Sequence, residues 1–334
     1  MMETKLLTEN SDDLDRAAAI IANGGLVAFP TETVYGLGAN ALDPDAVARI
    51  YEVKQRPSDN PSIVHIAEKE EIGPLTVRVT PEMEILMDRF WPGPMTMITV
   101  SSDRIPDVTR GGQPTVGIRL PESRAARELI RRSGCPVAAP SANISGRPSP
   151  TTARDVLDDL NGKIEAIIDG GPCSVGIEST VIDMTGDIPM ILRPGIITRE
   201  ELENALGREI LTDPMLNVKP EPSETDGKKP RSPGQKYRHY APRAKMIIFE
   251  GAPDDVEGAI DEERMERESM GQKVKTLIFE SDGRKAAKNF FAELRKADRD
   301  HVDVILVAAL PEKGIGFSVM NRMLKSAGYN IKKV

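Results

Sequence analysis

Two short groups of polar residues have the types and the spacing to bind a polyanion. Lys54 and Arg56 stand two positions apart just before a proline, which disfavours a helix at the preceding residue. Arginine offers a planar fork of donors and lysine a compact charge, so the pair suits phosphate groups. Ser141 and Asn143 lie in the polar run 140–149, where small side chains let backbone N–H groups approach a phosphate closely. We therefore predict a nucleotide triphosphate pocket centred on these four residues.

Further polar residues lie at the ends of predicted strands, where open α/β sheets bind ligands. Residues 30–36 (PTETVYG) combine hydroxyls, a carboxylate and a phenol after one strand, and residues 176–180 and 193–195 also place polar groups at strand ends. Arg119 lies inside an apolar strand, so its charge needs a partner, and a substrate carboxylate is a natural one. His65 also lies in a strand, and its context fits a structural histidine and a site residue equally well.

Several other chemistries find little support. Residues 36–41 (GLGANA) fit the dinucleotide pattern G-x-G-x-x-A, but a new helix cap at Asp43 interrupts the glycine-to-helix junction of a nicotinamide or flavin site. No Walker A sequence is present, so other groups must hold the phosphates of ATP. Neither cysteine has a histidine close in sequence, and three histidines with two cysteines argue against zinc. We therefore predict no protein metal site, and Mg²⁺ would arrive with the nucleotide.

Alternating strands and helices must position these groups. Apolar runs predict strands at 26–29, 62–66, 95–100, 116–120, 136–139, 164–168 and 179–184. Cap residues predict helices that begin after Ser11, Asp43 and Thr80, and two more helices are predicted near 123–133 and 152–160. This alternation predicts an α/β fold with a twisted, open, mixed sheet.

The character of the chain changes near residue 210. Prolines become frequent, and residues 219–245 hold eight Lys and Arg against three Asp and Glu, which predicts an exposed basic linker. Three apolar runs after the linker, at 245–249, 274–279 and 302–307, predict the strands of a smaller Rossmann-like α/β domain. We therefore expect a first domain over 1–208, a linker over 209–243 and a second domain over 244–334.

Composition and charge narrow the class of protein. The 334 residues are 39% apolar and 29% charged, and no apolar run reaches the roughly 20 residues that span a bilayer. Two cysteines suggest a reducing compartment, so we expect a cytoplasmic protein. Residues 1–200 hold 20 Lys and Arg against 29 Asp and Glu, or −9, which leaves +1 for residues 201–334 in a total of −8. The acidic first part counts against RNA binding, which depends on neutralising many phosphates.

The combined motifs resemble the Sua5/YrdC/YciO family over about residues 10–200. The matching features are the K-x-R at residue 54, the S-x-N at residue 141, and the stretches 30–41, 90–94, 145–147 and 176–181. The run 232–242 (SPGQKYRHYAP), followed by a small α/β domain, resembles the two-domain Sua5 type, with Gln235 where the pattern has methionine. The resemblance implies a YrdC-like first domain and a Sua5-type C-terminal domain.

The same resemblance implies an activity. L-Threonine, bicarbonate and ATP would give a threonylcarbamoyl adenylate and pyrophosphate, and a partner transferase would move the threonylcarbamoyl group to adenosine 37 of tRNA. The pattern of residues agrees, because such a reaction asks the protein to position three anions and offset their charge. Contact with tRNA would be indirect.

The resemblance also assigns residues to ligands. Threonine would be held by Thr33, His65, Arg119, the backbone of Ala139, and Ser179. ATP would be held by Arg56, Asn60, Thr115, Ser141, Ser149 and Arg193, with Lys54 and Asn143 at the phosphates. A linker tyrosine would close over the nucleotide, and Tyr237 and Tyr240 fit this role equally. The catalytic group is therefore expected to be Lys54, Arg56, Ser141 and Asn143.

Two other functions stay open from the sequence. One is a double-stranded RNA-binding module of the same fold, which the charge of residues 1–200 disfavours. The other is an enzyme that forms a carbamoyl adenylate from carbamoyl phosphate, as related domains in hydrogenase maturation do. The order of carboxylation and adenylation is not fixed by the sequence.

Overall fold

The computed structural model describes residues 3–219, 230–233, 239–279 and 282–334. The strands of these parts are β1 (Lys5–Leu7), β2 (Val27–Phe29), β3 (Gly36–Asn40), β4 (Ile63–His65), β5 (Met95–Val100), β6 (Thr115–Arg119), β7 (Val137–Ala138), β8 (Ala166–Ile168), β9 (Thr180–Asp183), β10 (Met190–Arg193), β11 (Leu211–Thr212), β12 (Lys245–Glu250), β13 (Val274–Leu277), β14 (Val304–Ala308) and β15 (Ile331–Lys333). The helices are α1 (Ser11–Ala22), α2 (Pro44–Lys54), α3 (Pro81–Phe90), α4 (Asp107–Arg110), α5 (Arg124–Ser133), α6 (Ala153–Leu160), α7 (Arg199–Leu206), α8 (Pro253–Ser269), α9 (Gly283–Arg299) and α10 (Gly314–Ser326), with a 3₁₀ helix at Lys69–Leu75.

The first eleven strands form one mixed sheet in the order β1-β8-β2-β3-β7-β4-β6-β5-β9-β10-β11. Five neighbouring pairs are parallel. The other five are antiparallel. The predicted α/β fold with a mixed sheet is therefore confirmed.

Local signals account for helix α2, which carries Lys54 at its end. The Asp43 carboxylate accepts from the backbone N–H groups of Asp45 at 3.0 Å and Ala46 at 3.2 Å, and Pro44 occupies the first turn. The helix stops because Gln55 adopts a left-handed conformation at φ 52°. At α1 the predicted cap was one residue late, since the Asn10 side chain accepts from the backbone N–H of Asp13 at 2.9 Å.

The glycine run 36–41 proves to be strand β3, which pairs antiparallel with β2. A Cβ atom at Gly38 would lie 2.8 Å from both the Phe29 ring and the Val137 side chain, so the glycine serves close packing inside the sheet. The glycines lie within a strand and not in a turn that opens a helix, and helix α2 begins only after its own cap at Asp43, which agrees with the argument against a dinucleotide site.

The second sheet has the order β13-β14-β12-β15, with all three neighbouring pairs parallel. The sequence predicted its first three strands but not β15. The two sheets share apolar packing, because one buried cluster contains Ile177 and Ile182 from the first part together with Phe291 and Leu324 from the second. Across the described ranges, we find no helix with the length and apolar character to cross a membrane.

A candidate active site covered by the end of the linker

A pocket that is partly open to solvent lies beside the ends of β4, β6 and β7. Residues 233, 239 and 240 contribute to its lining from the segment that precedes the second sheet. The complete lining consists of Thr31, Thr33, Val34, Gly36, Arg56, Ile63, His65, Arg119, Ala139, Pro140, Ser141, Glu178, Arg193, Pro233, His239 and Tyr240.

Strand register brings His65 and Arg119 side by side. The two residues are partners in the parallel pair β4–β6, and each is the last residue of its strand. The backbone N–H of Ala139 donates to the Ile63 carbonyl at 2.8 Å, which fixes Ala139 beside them. The sheet therefore places three residues from distant parts of the sequence along one wall of the pocket.

The buried Arg119 finds its charge partner within the protein. Its Nη2 atom donates to the Glu32 carboxylate at 2.5 Å, and both side chains are about 95% buried. Its Nε atom points to the Gly93 carbonyl at 3.4 Å. The sequence predicted that this charge needs a partner but did not identify Glu32, which lies 87 positions away.

Burial keeps His65 neutral. The pKa of His65 falls to about 3, chiefly because the ring is removed from water and secondarily because of the nearby Arg119 charge. Its Nδ1 atom lies 3.2 Å from the Ile63 carbonyl, and since a carbonyl oxygen only accepts, this contact has Nδ1 donating. The ring therefore offers the pocket a neutral polar group.

Lys54 supports the loop that carries Ser141 and Asn143 from behind. Its Nζ atom donates to the backbone carbonyls of both residues, and the side chain is 1% exposed. Burial and the neighbouring Arg56 charge hold the pKa of Lys54 well below its usual value. The backbone N–H of Ser145 donates back to the Lys54 carbonyl at 2.8 Å, so helix end and loop are tied in both directions.

Arg56 and Asn60 lie in the turn that follows Lys54 at the end of α2. The Arg56 guanidinium donates to the carbonyls of Asn60 at 3.3 Å and Pro61 at 3.0 Å, which folds it across the turn after α2 and into the pocket lining. Asn60 is 1% exposed, and among the described residues its Oδ1 atom has no hydrogen-bond partner. The Asn143 side-chain N–H group donates to the carbonyls of Ile144 at 2.8 Å and Arg147 at 3.0 Å.

A buried polar network surrounds Glu178 and Arg193, two further lining residues. Glu178 accepts from the Ser149 hydroxyl at 2.6 Å and from the Arg322 Nε atom at 3.2 Å. Arg193 donates to the Ser179 carbonyl and to the Ser179 hydroxyl, both at 3.0 Å. Burial opposes ionisation of Glu178, but the charges of Arg322 and Arg193 outweigh it and lower its pKa. Burial lowers the pKa of Arg193 to about 10, partly offset by Glu178.

Residues 233, 239 and 240 form the cover of the pocket. Backbone and ring contacts hold this cover to the rest of the protein. The Ala241 N–H donates to the Gly146 carbonyl at 2.8 Å, which joins the cover to the loop after Asn143. Tyr240 adopts a positive φ of 63° and packs its ring 5.1 Å from that of Phe291. Burial and the Glu178 carboxylate raise the pKa of Tyr240 to about 12, so its hydroxyl stays protonated at neutral pH.

The structure brings eight of the predicted site residues into the pocket lining: Thr33, Arg56, His65, Arg119, Ala139, Ser141, Arg193 and Tyr240. Four others support lining residues from behind or beside them: Lys54, Asn143, Ser149 and Ser179. Asn60 carries the carbonyl that Arg56 contacts. Thr115 starts β6, the strand that Arg119 ends, and does not line the pocket. The Tyr237 prediction lies outside the described residues.

Several lining or supporting residues were assigned no role from the sequence, among them Glu32, Glu178, His239 and Arg322. Glu178 and His239 both stand in stretches that match the family pattern, so proximity to the pocket was detectable there, but no role was assigned. Arg322 carried no sequence signal, because its partner Glu178 is 144 positions away.

A family model described as telomere recombination, for the Sua5, YciO and YrdC proteins, matches residues 19–195. A second model, described as the C-terminal domain of threonylcarbamoyl-AMP synthase, matches residues 197–328. The threonylcarbamoyl-AMP synthase of Pyrococcus abyssi is 48% identical over 329 residues, covering 95% of each chain. That of Bacillus subtilis is 44% identical over 339 residues, covering 97% of this chain and 96% of the relative.

Solved structures agree with the sequence comparisons. The crystal structure of Pyrococcus abyssi Sua5 complexed with L-threonine has a TM-score of 0.92 at 46% identity and covers 99% of both chains. A variant of that protein with a histidine and the adjacent tyrosine changed to alanine has the same TM-score at 45% identity, over 99% of this chain and 98% of that one. The chain therefore belongs to the Sua5/YciO/YrdC family and carries the C-terminal domain of the threonylcarbamoyl-AMP synthases.

Proposed function

We propose that this chain makes threonylcarbamoyl-AMP and pyrophosphate from L-threonine, bicarbonate and ATP. The observation that carries the proposal is a pocket in which a neutral histidine, a paired arginine and small hydroxyls face two further arginines and a tyrosine. The full-length likeness to threonylcarbamoyl-AMP synthases supports it, as does the likeness to a Sua5 structure complexed with L-threonine.

Threonine is proposed to occupy the end with Thr33, His65 and Arg119. Among the described residues, the hydrogen bonds of Arg119 use Nη2 and Nε, so Nη1 can meet the threonine carboxylate. The neutral His65 ring and the Thr33 hydroxyl suit the hydroxyl and amine of the amino acid. The backbone of Ala139 borders this end, and Ser179 steadies it through its 2.7 Å contact with Thr96.

ATP is proposed to occupy the end with Arg56, Ser141, Arg193 and Tyr240. The Arg56 guanidinium and the loop at Ser141 would face the phosphates, with Lys54 and Asn143 shaping that loop. Ser149 would act through Glu178, to which it is bonded. The roles predicted for Asn60 and Thr115 as ATP contacts stay predictions, and so does the choice of Tyr237 as a cover residue.

The chemistry this arrangement serves needs orientation more than covalent help. The threonine amine attacks the carbon of bicarbonate, or of an activated form of it, and the bicarbonate hydroxyl leaves with an amine proton as water. An oxygen of the resulting carbamate then attacks the α-phosphorus of ATP while pyrophosphate leaves. Cationic groups fixed in a partly closed pocket offset the charge of the three reactants. Both the carbamate and the adenylate hydrolyse readily, so the cover at residues 233 and 239–240 would exclude water.

No group of three or more His, Cys, Asp or Glu in the described ranges could hold a metal ion. Glu178, the carboxylate in the pocket lining, is engaged by Ser149 and Arg322. We propose that Mg²⁺ enters with ATP, bound to its phosphate oxygens and water, and we assign no step to it.

Three further assignments belong to the proposal. The product would pass to a tRNA threonylcarbamoyl transferase in the cytoplasm, and this chain would meet tRNA only indirectly. Residues 1–208 would form the catalytic domain, residues 209–243 the linker and cover, and residues 244–334 a domain that supports them. The two family models meet between residues 195 and 197, and the second of them includes the proposed linker.

Isotope labelling tests the proposed reaction. The purified protein, incubated with ATP, Mg²⁺, L-threonine and ¹³C-bicarbonate, is expected to yield an adenylate one mass unit heavier than the unlabelled product. Omitting threonine or bicarbonate should abolish it. An adenylate that forms from carbamoyl phosphate without threonine would establish the other enzyme, and retention on RNA without either substrate would revive the binding module.

A further inference from the structure

The C-terminal domain reaches the catalytic pocket through one helix. Along α10, the side chains of Ser318, Asn321, Arg322 and Lys325 recur at helical spacing, and the first three are buried. Ser318 donates to the Gly195 carbonyl at 2.7 Å. The side-chain N–H group of Asn321 donates to the Leu216 carbonyl. This polar stripe therefore faces the first domain and not solvent.

Arg322 is the centre of the stripe and is fully buried, with 0% of its surface exposed. Its Nε atom donates to the Glu178 carboxylate at 3.2 Å, and its Nη2 atom lies 3.5 Å from the Glu178 carbonyl. Its Nη1 atom donates to the Pro194 carbonyl. One guanidinium thus joins two backbone segments that are 16 positions apart in the sequence.

Both segments end in the pocket. Glu178 and Arg193 line it, and the second oxygen of Glu178 accepts from Ser149. The residue after Arg193 is the one whose carbonyl Arg322 contacts. Arg322 is not part of the pocket lining. We therefore expect it to affect a ligand through Glu178, which it contacts, and through Arg193, whose neighbour Pro194 it contacts.

We propose that Arg322 is a positioning residue that sets Glu178 and Arg193 for the nucleotide, so that the C-terminal domain completes the ATP end of the catalytic site. The inference rests on the proposed function for the identity of the nucleotide. A lysine at this position would keep the charge but lose the fork that spans the Glu178 carboxylate and the Pro194 carbonyl.

The test compares Arg322→Lys with Arg299→Lys, a matched change at the same domain interface. Arg299 donates to Asp155 at 2.6 Å, is 40% exposed in its side chain, and does not contact the pocket lining. In Arg322→Lys we expect the KM for ATP to rise roughly tenfold, since hydrogen bonds between charged groups have about this effect. The KM for threonine should change by less than about threefold, because Arg322 contacts Glu178 and Pro194 and not the residues proposed to hold threonine. Arg299→Lys should keep both values.

A double-mutant cycle tests whether Arg322 acts on ATP binding through Glu178. Glu178→Gln is expected to raise the KM for ATP, and the double variant Arg322→Lys, Glu178→Gln should be no worse than the worse single variant, because both remove one linkage. A rise in the KM for ATP in the double variant by the product of the two single effects would overturn the inference. So would equal rises in the KM values for ATP and threonine, or equal behaviour of Arg322→Lys and Arg299→Lys.

Two further measurements keep the inference testable if Arg322→Lys does not fold or if the proposed reaction is wrong. Should Arg322→Lys not fold, Arg322→Gln replaces it, since glutamine keeps a side-chain N–H group but loses the charge and the fork of donors; a wild-type KM for ATP in Arg322→Gln would then overturn the inference. Calorimetric ATP binding without threonine separates the inference from the proposed function. Wild-type protein that binds ATP but makes no threonine product rejects the function, whereas unchanged ATP affinity in Arg322→Lys rejects the role of Arg322.

Discussion

At the scale of single residues, the pocket holds three arginines with different partners. Arg56 donates to two backbone carbonyls, Arg119 is balanced by the Glu32 carboxylate, and Arg193 donates to Ser179. A fixed guanidinium presents its remaining donors in a known direction, which favours recognition of planar or tetrahedral anions. The separate anchors support the proposed division of the pocket into a threonine end and an ATP end.

Separate substitution of two arginines tests this division. Arg56→Ala should raise the KM for ATP by roughly tenfold or more, whereas Arg119→Ala should mainly raise the KM for threonine, each by loss of a charged hydrogen bond. Steady-state pyrophosphate release gives both constants. Arg49→Ala is the control, because Arg49 pairs with Glu165 at a distance of 2.6 Å and neither residue lines the pocket. Equal loss of ATP affinity in the two pocket variants would reverse the assignment.

The buried His65 predicts a pH dependence of stability. Its pKa is about 3 in the folded protein and 6.5 ordinarily. Below pH 6.5 the unfolded chain takes up a proton that the folded protein refuses, so His65 lowers the free energy of unfolding as the pH falls towards 3 and has no such effect above pH 6.5. Relative to His65→Gln, wild type should lose about 1.4 kcal/mol per pH unit in this window.

Urea unfolding at several pH values between 4 and 7.5 measures that slope. The exposed His301 offers a matched control, and His301→Gln should keep the wild-type dependence. Parallel curves for wild type and His65→Gln would show that the buried ring is protonated in the folded protein, which would contradict its neutral state in the pocket.

At the scale of elements, α2 and the loop after β7 act as one unit through Lys54. Replacing Lys54 by methionine keeps the apolar stem but leaves the Ser141 and Asn143 carbonyls without this donor. We expect a loss of about 1–3 kcal/mol of stability for such unsatisfied buried groups, together with a marked loss of kcat. Lys163→Met is the control, because Lys163 also donates to a backbone carbonyl, that of Asp159 at 3.0 Å, from an exposed position. Wild-type turnover in Lys54→Met would contradict a supporting role.

Local signals were sufficient for most elements that position the site. Asp43 with Pro44 marked the start of α2, and the apolar run of β5 was predicted at its observed bounds, 95–100. The inward direction of Lys54 was also detectable, because it continues the stripe of Val47, Ile50 and Tyr51 at helical spacing. The sequence did not show that Glu32 meets Arg119, because strand order and not sequence distance brings the two together.

At the scale of the whole molecule, the two parts are joined by buried charge pairs as well as apolar contacts. Arg295 donates to both oxygens of Asp159 at 2.9 and 3.0 Å, and Arg322 donates to Glu178 at 3.2 Å. Removing one member of a buried pair leaves the other without compensation, which is strongly destabilising. These pairs link residues more than 130 positions apart, so their existence required the tertiary structure.

Deletion of residues 220–334 tests whether the first domain needs the rest of the chain for activity. The truncated protein is expected to keep the secondary structure of the first sheet, measured by circular dichroism, because the strands of that sheet all lie before residue 213. Its threonine-dependent pyrophosphate release should fall by about a hundredfold or more, since Tyr240, Pro233 and Arg322 are removed. A truncated protein with full turnover would show that the first domain is sufficient.

The most direct test of the proposed activity is pyrophosphate release from ATP and Mg²⁺ with bicarbonate and each of the twenty amino acids in turn. We predict release with L-threonine well above every other amino acid, and dependence on bicarbonate, because Thr33, His65 and Arg119 line the pocket and are proposed to recognise the hydroxyl, amine and carboxylate of threonine. Release that is independent of threonine, or that carbamoyl phosphate supports without it, would contradict a threonylcarbamoyl-AMP synthase.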